Sequence, residues 1–346
     1  MKHKLYLLRV GNSQRLDRLL SDTLYTYDVK TLRLGDDMRH KRILFAMSVD
    51  EYGMDRTVCD LLRFLRRNED CLTGSIAGVI VDGGSELYTK QVAQELVLAA
   101  NMAGCTFPGK PLVEGTGSLY NQHIMAERLG LTWEETYHHR IRELAKLVSS
   151  FQAPHFEHPH ILMLHASDNA RSNTVWMGHE VLSRLPENCK VQEISLQNGT
   201  IHDCRGCSYE ACLHFAQNDR CFYGGTISQE VLPAIAACDA MLILCPNYND
   251  AVSANIMALF NRLTNLLVKQ DLSDKYLFGI VVSGYSGSDL VARQLLGAMC
   301  LNKTVLLPPH FCLMQTAHDA GSARKSDGID ARISTFAARM ATALQV

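Results

Sequence analysis

The sequence predicts an α/β fold whose second half is a doubly wound, parallel five-stranded sheet. Two observations lead to this prediction. Short apolar runs of strand length alternate with segments whose apolar residues recur at helical spacing. Most of these runs are apolar throughout, as in parallel strands that are covered on both faces. Five runs follow Pro159, and they read HILMLHA, KVQEISLQ, AMLILCP, YLFGIVVSG and TVLLPP.

Four helical patterns separate these runs. Regular alternation of strand and helix places helices on both faces of a parallel sheet. Five strands suit the flavodoxin-like arrangement, in which ligands bind at the carboxyl edge where the strand order reverses. The predicted helices are Asn173 to Leu185, Gln229 to Ala237, Ser253 to Val268 and Ser288 to Leu301.

The first half predicts a second α/β domain. A basic start with a short apolar run indicates a first strand, and SIAGVIVDGG indicates a buried strand that ends in glycines. The segment that begins at Lys41 repeats the plan of the segment that begins at Pro159, with an apolar run, a polar loop and a helix. We therefore expect residues 1–152 to be a degenerate flavodoxin-like copy, 153–158 to be a linker, and 159–346 to be the ligand-binding domain.

Composition excludes several classes of function. The chain has 346 residues, 47% of them hydrophobic, and a formal net charge of -2. That charge gives no reason to expect a nucleic acid or an anionic membrane as a partner. No apolar run approaches the ~20 residues of a membrane span, and the start lacks a signal-peptide cleavage pattern. We expect a cytoplasmic protein, in which most of the twelve cysteines are reduced and buried.

The loop LHASDNARSNT, which joins the first strand of the second half to its helix, is rich in polar residues. Hydroxyl groups, an arginine and free backbone N–H groups at a helix start favour a bound phosphate. The loop has neither the glycine-and-lysine pattern of a nucleoside triphosphate loop nor a GxGxxG motif, so a monophosphate fits best. A capped helix start without a ligand is the alternative, because Ser, Asn and Thr are ordinary capping residues.

Four cysteines lie close together in the loop-rich segment that follows the second strand. Cys204, Cys207, Cys212 and Cys221 could supply the four thiolates of a [4Fe–4S] cluster. Tetrahedral zinc is a second option, since four cysteines also form closed zinc sites. Free or redox-active thiols are a third.

These stretches occur in a fixed order with two later ones, LILCPNYNDAVSANIMALFNRL and VVSGYSGSDLVARQLL. The succession resembles the NAD(P)H-dependent FMN reductase family, and in particular its iron–sulfur flavoprotein branch, over residues 159–310. The resemblance implies that the polar loop holds the FMN phosphate and that the two later loops enclose the isoalloxazine ring. The implied FMN-binding residues are Ser167, Arg171, Ser172, Asn173, Thr174, Pro246, Asn247, Tyr248, Asn249, Ser283, Gly284, Tyr285 and Gly287.

The expected activity is that of an FMN-dependent oxidoreductase. Electrons would pass from NAD(P)H or a ferredoxin-like carrier through FMN to a small acceptor, and no side chain is required as an acid or base. An electron-transfer module that serves a separate reductase and a non-catalytic flavin- or zinc-binding regulator are the alternatives. The resemblance also implies that subunits can pair as a homodimer. We expect no FMN in the first half, because Asp50, Glu51 and Asp55 would repel a phosphate in the loop after Lys41.

Overall fold

The computed structural model describes residues 4–167, 171–197, 199–217 and 221–346. These residues divide into two compact units, Met1–Gln152 and Ala153–Val346. Each unit contains a parallel five-stranded sheet, and in each the strands lie in the order 2-1-3-4-5, counted along that unit. This is the flavodoxin-like order. The predicted fold class is confirmed for both halves.

In the first unit, strands β3 and β4 lie at the centre of the sheet and are almost wholly buried. A polar strand at the edge, β2, completes the sheet beside β1. The elements of this unit are β1 (Lys4–Val10), α1 (Gln14–Leu24), β2 (Asp28–Leu32), β3 (Arg42–Val49), α2 (Arg56–Arg67), β4 (Ile76–Gly83), α3 (Thr89–Met102), β5 (Leu112–Gly115), α4 (His123–Leu129) and α5 (Trp133–Ser150).

In the second unit, strands β8 and β9 are the buried pair, which explains why both were readable as apolar runs. None of the helices that the structure describes has the length and apolarity to cross a bilayer. The elements of this unit are β6 (His160–His165), α6 (Asn173–Leu182), β7 (Lys190–Ser195), α7 (Tyr209–Ala216), α8 (Leu232–Ala237), β8 (Ala240–Pro246), α9 (Ala254–Arg262), α10 (Thr264–Leu267), β9 (Tyr276–Ser283), α11 (Ser288–Leu296), β10 (Cys312–Thr316) and α12 (Ile329–Leu344).

Helix α6 lies close to the sheet because one of its residues has no side chain. A Cβ atom on Gly178 would come within 2.9 Å of side-chain atoms of Leu244 on β8 and Met163 on β6. The helix is thereby held with its first turn at the carboxyl edge of β6. The predicted start of this helix at Asn173 is confirmed, and its end comes at Leu182 rather than Leu185.

The predicted fifth strand, TVLLPP, was placed too early in the sequence. The last strand of the sheet is β10, which begins at Cys312 and pairs with β9. Within the earlier run, Leu306 makes an isolated bridge to Tyr276. Two consecutive prolines lack the N–H groups that a sheet requires, so the run cannot continue as a strand.

The internal repeat was also set in the wrong register. The strand that follows Lys41 is β3, the third strand of its unit, and so it corresponds to β8. The true counterpart of β6 is β1, the first strand of the chain. The loop equivalent to LHASDNARSNT is therefore the short connection of residues 11–13, and not the acidic loop of residues 50–55.

Candidate functional site

A cavity of about 440 Å³ lies at the carboxyl edge of the second sheet. It is formed by the loops that follow β6, β8, β9 and β10, where a doubly wound sheet normally binds its ligand. The residues that line it are Ser167, Arg171, Ser172, Asn173, Thr174, Pro246, Asn247, Tyr248, Val282, Gly284, Ala317, His318 and Ala320.

One wall of the cavity is the first turn of α6. Ser172 is the N-cap of the helix, and its Oγ accepts a hydrogen bond from the backbone N–H of Val175 at 3.3 Å. The same Oγ lies 2.8 Å from Oγ1 of Thr174. The capped helix start that the sequence left as an alternative is thus present. A cap leaves the first N–H groups of the helix without intrahelical partners, so it does not exclude an anion.

Two side chains of this loop have no partner in the described part of the chain. The guanidinium of Arg171 is exposed, and no described residue bonds it. The Oγ of Ser167 is buried and likewise has no hydrogen-bond partner there. A buried hydroxyl without a partner is costly, and a phosphate oxygen beside it would remove that cost. A cation and an unpaired hydroxyl at a helix N-terminus fit an anionic group.

Asn173 has a structural role in the described part of the chain. Its Nδ2 donates to the backbone oxygen of Asp319 at 2.9 Å, and its Oδ1 accepts from the backbone N–H of Ala323 at 3.2 Å. The side chain therefore ties the start of α6 to the segment that follows β10. The contact with Asp319 uses one of the two N–H groups of the amide, and Asn173 also lines the cavity.

The opposite wall is held together by Asn247, directly after β8. Its Nδ2 donates to Oγ of Ser283 at 3.0 Å, to the backbone oxygen of Ser286 at 3.1 Å and to Oδ1 of Asp250 at 3.1 Å. Gly287 permits this approach, because a Cβ there would lie 2.1 Å from Oδ1 of Asp250. The loops after β8 and β9 therefore form one hydrogen-bonded unit.

Aromatic side chains stand at the mouth of the cavity. Tyr248 is 55% exposed and lines it, while Tyr285 is 79% exposed and packs against His318, with ring centroids 4.8 Å apart. Exposed aromatic rings beside a polar pocket can cover the flat face of a ligand.

Cys245 is the next-to-last residue of β8 and is wholly buried. Burial raises the pKa of its thiol to about 12.

The sequence of this region decides the assignment. Residues 159–319 match the family model of NADPH-dependent FMN reductases. We call the second unit the FMN reductase domain after this match, which covers a little under half of the chain. The predicted resemblance to the FMN reductase family is thereby confirmed, and with it the predicted similarity to flavin-dependent oxidoreductases, whereas the iron–sulfur branch stays a prediction. A search of curated proteins found no match.

Many solved structures resemble the FMN reductase domain, at low identity. RosB with a bound 8-demethyl-8-formylriboflavin-5'-phosphate is 14% identical, covers 54% of this chain and 79% of its own, and has a TM-score of 0.43. An NAD(P)H:quinone oxidoreductase from Methanothermobacter marburgensis is 15% identical, with 54% and 95% coverage and a TM-score of 0.39. An FMN-dependent NADH-azoreductase from Bacillus anthracis is 12% identical, with 53% and 99% coverage and a TM-score of 0.37. Scores this low are not evidence for a shared substrate.

Most of the FMN-binding residues named from the sequence of the FMN reductase domain line this one cavity, and four do not. Those outside the lining are Asn249, Ser283, Tyr285 and Gly287. Residues 168–170 of the phosphate loop lie outside the described residues. Four lining residues were not predicted from the sequence, and three of them follow β10. Because the last strand was placed too early, the segment after it was never considered. The missed residues are Val282, Ala317, His318 and Ala320.

The four clustered cysteines line a second cavity of the FMN reductase domain, with a volume of about 250 Å³. Burial and the neighbouring thiols raise the pKa of Cys212. Arg205 and Arg262 also line this cavity, as do several aromatic rings. The described residues contain no group of three or more His, Cys, Asp or Glu side chains already arranged to hold a metal ion. Residues 218–220, between the third and fourth cysteines, lie outside the described part of the chain.

The first unit has a different arrangement at the corresponding edge. Its connection from first strand to first helix is three residues, 11–13, where the FMN reductase domain has seven, 166–172. Oγ of Ser13 donates to Oδ2 of Asp82 at 2.5 Å, and Nη2 of Arg15 lies 2.8 Å from Oδ1 of Asp82. The hydroxyl and the guanidinium at this helix start are thus already paired with an internal carboxylate.

Proposed function

We propose that this protein is an FMN-dependent oxidoreductase that takes electrons from NADPH or NADH and passes them to a small acceptor. The observation that supports it best is that the predicted FMN-binding residues of three loops meet at one place. Residues that the sequence named on three separate loops line a single cavity of about 440 Å³. That volume is within the usual range for a small-molecule site. Bound FMN would supply the hydride and electron chemistry, and the protein would supply binding and orientation.

The phosphate of FMN is assigned to the loop before α6. Arg171 supplies a positive charge, and a charge-assisted hydrogen bond to a phosphate is among the stronger polar contacts. Ser167 supplies the buried hydroxyl that lacks a partner. The free N–H groups and positive end of α6 add to the attraction. The side chain of Asn173 holds the loop in place, and the second N–H of its amide is assigned to the phosphate.

The flavin ring is assigned to the space between the loops after β8 and β9. Pro246 and Gly284 line this space on two sides, and the exposed ring of Tyr248 covers a face. Four of the residues named from the sequence do not line the cavity, and we assign them to the structure of the loops that enclose it. They are Asn249, Ser283, Tyr285 and Gly287. Gly287 and Ser283 are packed behind this space. His318 is an additional residue at the mouth, supplied by the segment after β10.

Anaerobic reduction tests the proposal. Protein loaded with FMN is mixed with NADPH or NADH, and loss of the blue absorption band of the flavin is followed. We expect rapid bleaching by at least one of the two nucleotides. Protein that binds FMN but is reduced only by a one-electron carrier would instead favour the electron-transfer module. Protein that binds no FMN would contradict both functions.

We also propose that Cys204, Cys207, Cys212 and Cys221 hold a metal centre, with an iron–sulfur cluster as the occupant. All four thiols border one cavity. Thiolates are the ligands of such clusters. Arg205 and Arg262 would balance the negative charge of four thiolates. A centre of this kind would let single electrons enter from a ferredoxin-like carrier.

Metal analysis of anaerobically reconstituted protein tests this second proposal. We expect about four iron and four sulfide per chain if a [4Fe–4S] cluster forms. Single serine variants of the four cysteines should lower the iron content, whereas the matched control Cys189→Ser should not, because Cys189 does not line the cavity. Retention of zinc without iron would favour the zinc site, and retention of neither would contradict a metal centre.

For the first unit we propose that no FMN is bound. Its connection after β1 is short, and Asp82 already bonds the two side chains that would meet a phosphate. This reason differs from the acidic loop on which the sequence-based expectation depended. A protein that binds two FMN molecules per chain would contradict it.

A further inference from the structure

The strongest unexplained feature of the FMN reductase domain is a buried histidine directly beneath the phosphate loop. His165 is the last residue of β6, and its side chain is wholly buried. Its Nε2 lies 2.9 Å from Oε1 of Glu193 on the neighbouring strand β7. The other carboxylate oxygen of Glu193 lies 2.9 Å from Nε2 of His179 on α6. One carboxylate thus joins two strands and the helix that begins at the cavity.

The carboxylate determines which ring nitrogen of His165 carries the proton. An ionised carboxylate only accepts hydrogen bonds, so Nε2 of His165 must be the donor in this pair. Burial alone would raise the pKa of Glu193, but the hydrogen bonds from His179 and His165 outweigh it, and the pKa is lowered. In a neutral imidazole with its proton on Nε2, Nδ1 is left as an acceptor.

That acceptor is used by the phosphate loop itself. The backbone N–H of Ser167 donates to Nδ1 of His165 at 3.4 Å. Ser167 lines the cavity, and its buried Oγ has no hydrogen-bond partner among the described residues. The ring of His165 therefore bonds the backbone of the residue whose hydroxyl is unpaired.

We propose that His165 is a positioning residue for FMN binding. Glu193 holds its proton on Nε2, Nδ1 holds the Ser167 backbone, and the Ser167 hydroxyl is thereby presented to the phosphate. The inference depends on the proposed function, because it assigns the phosphate to this loop. His165 itself contacts neither FMN nor the molecule that accepts its electrons.

Two conservative variants separate the two nitrogens of the ring. The amide of asparagine lies near the position of Nδ1, so His165→Asn retains an acceptor for Ser167 and loses the bond to Glu193. The amide of glutamine reaches the position of Nε2, so His165→Gln retains the bond to Glu193 and loses the acceptor. We measure the Kd of each variant for FMN and for riboflavin, together with the Tm of the ligand-free protein.

We expect His165→Gln to weaken FMN binding about tenfold, as for the loss of one well-placed hydrogen bond. His165→Asn should bind FMN within about threefold of wild type, and neither variant should change riboflavin binding by more than that. In the double variant His165→Gln/Ser167→Ala, the loss should be smaller than the product of the two single losses, because both act on one contact.

The outcomes distinguish this inference from the proposed function. Wild-type protein that binds no FMN overturns both. If wild-type protein binds FMN, and both variants lose FMN affinity equally and in proportion to their fall in Tm, the positioning role alone is overturned. Losses that are equal for FMN and riboflavin also overturn it, because the effect would then not concern the phosphate.

Discussion

The side-chain amide nitrogen of Asn247 lies 3.0 Å from the hydroxyl oxygen of Ser283, and this contact joins the loops after β8 and β9. Ser283 is wholly buried and does not line the cavity. Its hydroxyl also lies 2.8 Å from Oγ of Ser288 at the start of α11. The loops after β8 and β9, which form one side of the cavity, are therefore held together by a buried network of hydrogen bonds.

Replacing Asn247 tests that network. Asn247→Ala removes the two N–H donors that contact three acceptors, and the hydrogen bond that Oδ1 accepts from the backbone N–H of Asp250. We expect the free energy of unfolding to fall by about 1–3 kcal/mol and FMN binding to weaken about tenfold. The control is Asn188→Ala, which removes one hydrogen bond to the backbone oxygen of Glu157, away from the cavity. Urea unfolding and fluorescence titration with FMN measure both effects. Equal behaviour of the two variants would contradict the role of Asn247.

Gly287 tests the close approach of the two loops. Its φ is +85°, and a Cβ there would lie 2.1 Å from Oδ1 of Asp250. Gly321 has a similar φ of +79° but nothing within 4 Å of its Cβ position. Each alanine variant should lose about 1 kcal/mol to backbone strain. We expect Gly287→Ala to be the less stable of the two in urea unfolding, and equal stabilities would show that the contact with Asp250 does not matter.

Alkylation distinguishes the cysteines by burial. Cys204 and Cys207 are exposed, whereas Cys245 is wholly buried with a pKa raised to about 12. Only the thiolate reacts, so iodoacetamide at neutral pH should modify the first two quickly in folded, metal-free protein and leave Cys245 intact. Mass spectrometry of digested samples gives the sites. Modification of Cys245 at the rate of Cys204 would contradict the structure of the β8 end.

The lowered pKa of Glu193 leads us to expect that the stability of the fold depends on pH. Since its pKa is lowered in the folded protein, the ionised carboxylate stabilises the fold above its ordinary pKa, and this contribution disappears as the pH falls through the folded value. We expect Glu193→Gln to be less stable than wild type at pH 7, with a difference that shrinks below about pH 4. Glu187→Gln, at an exposed position, is the control. A difference that is independent of pH would contradict the pairing with the two histidines.

The parts of the fold that could be predicted were the buried strands, because burial on both faces leaves a recognisable run of apolar residues in the sequence. Strand β8 was predicted with its observed bounds, because a central strand covered on both faces admits only apolar residues. Strand β2 was not predicted, because it lies at an edge and four of its five residues are not buried. The last strand was misplaced because an apolar run that ends in two prolines precedes it.

The site was predictable where chemistry lies in consecutive residues. Arg171 and the hydroxyls around it form a pattern in the sequence, and they line one wall of the cavity. His318 and the tie between Asn173 and Asp319 depend on a segment nearly 150 residues further along the chain. The role of His165 was equally hidden, since it follows from strand pairing between β6 and β7. Such contacts require the register of the sheet.

The most direct measurement of the central claim compares FMN with riboflavin, which lacks only the phosphate. Isothermal titration of wild type and Arg171→Ala with both ligands isolates the contribution of the loop before α6. We expect wild type to prefer FMN by at least about a hundredfold and Arg171→Ala to lose about tenfold or more of that preference, as for a charged hydrogen bond worth 1.5–3 kcal/mol. Equal affinity of wild type for the two ligands would contradict the account.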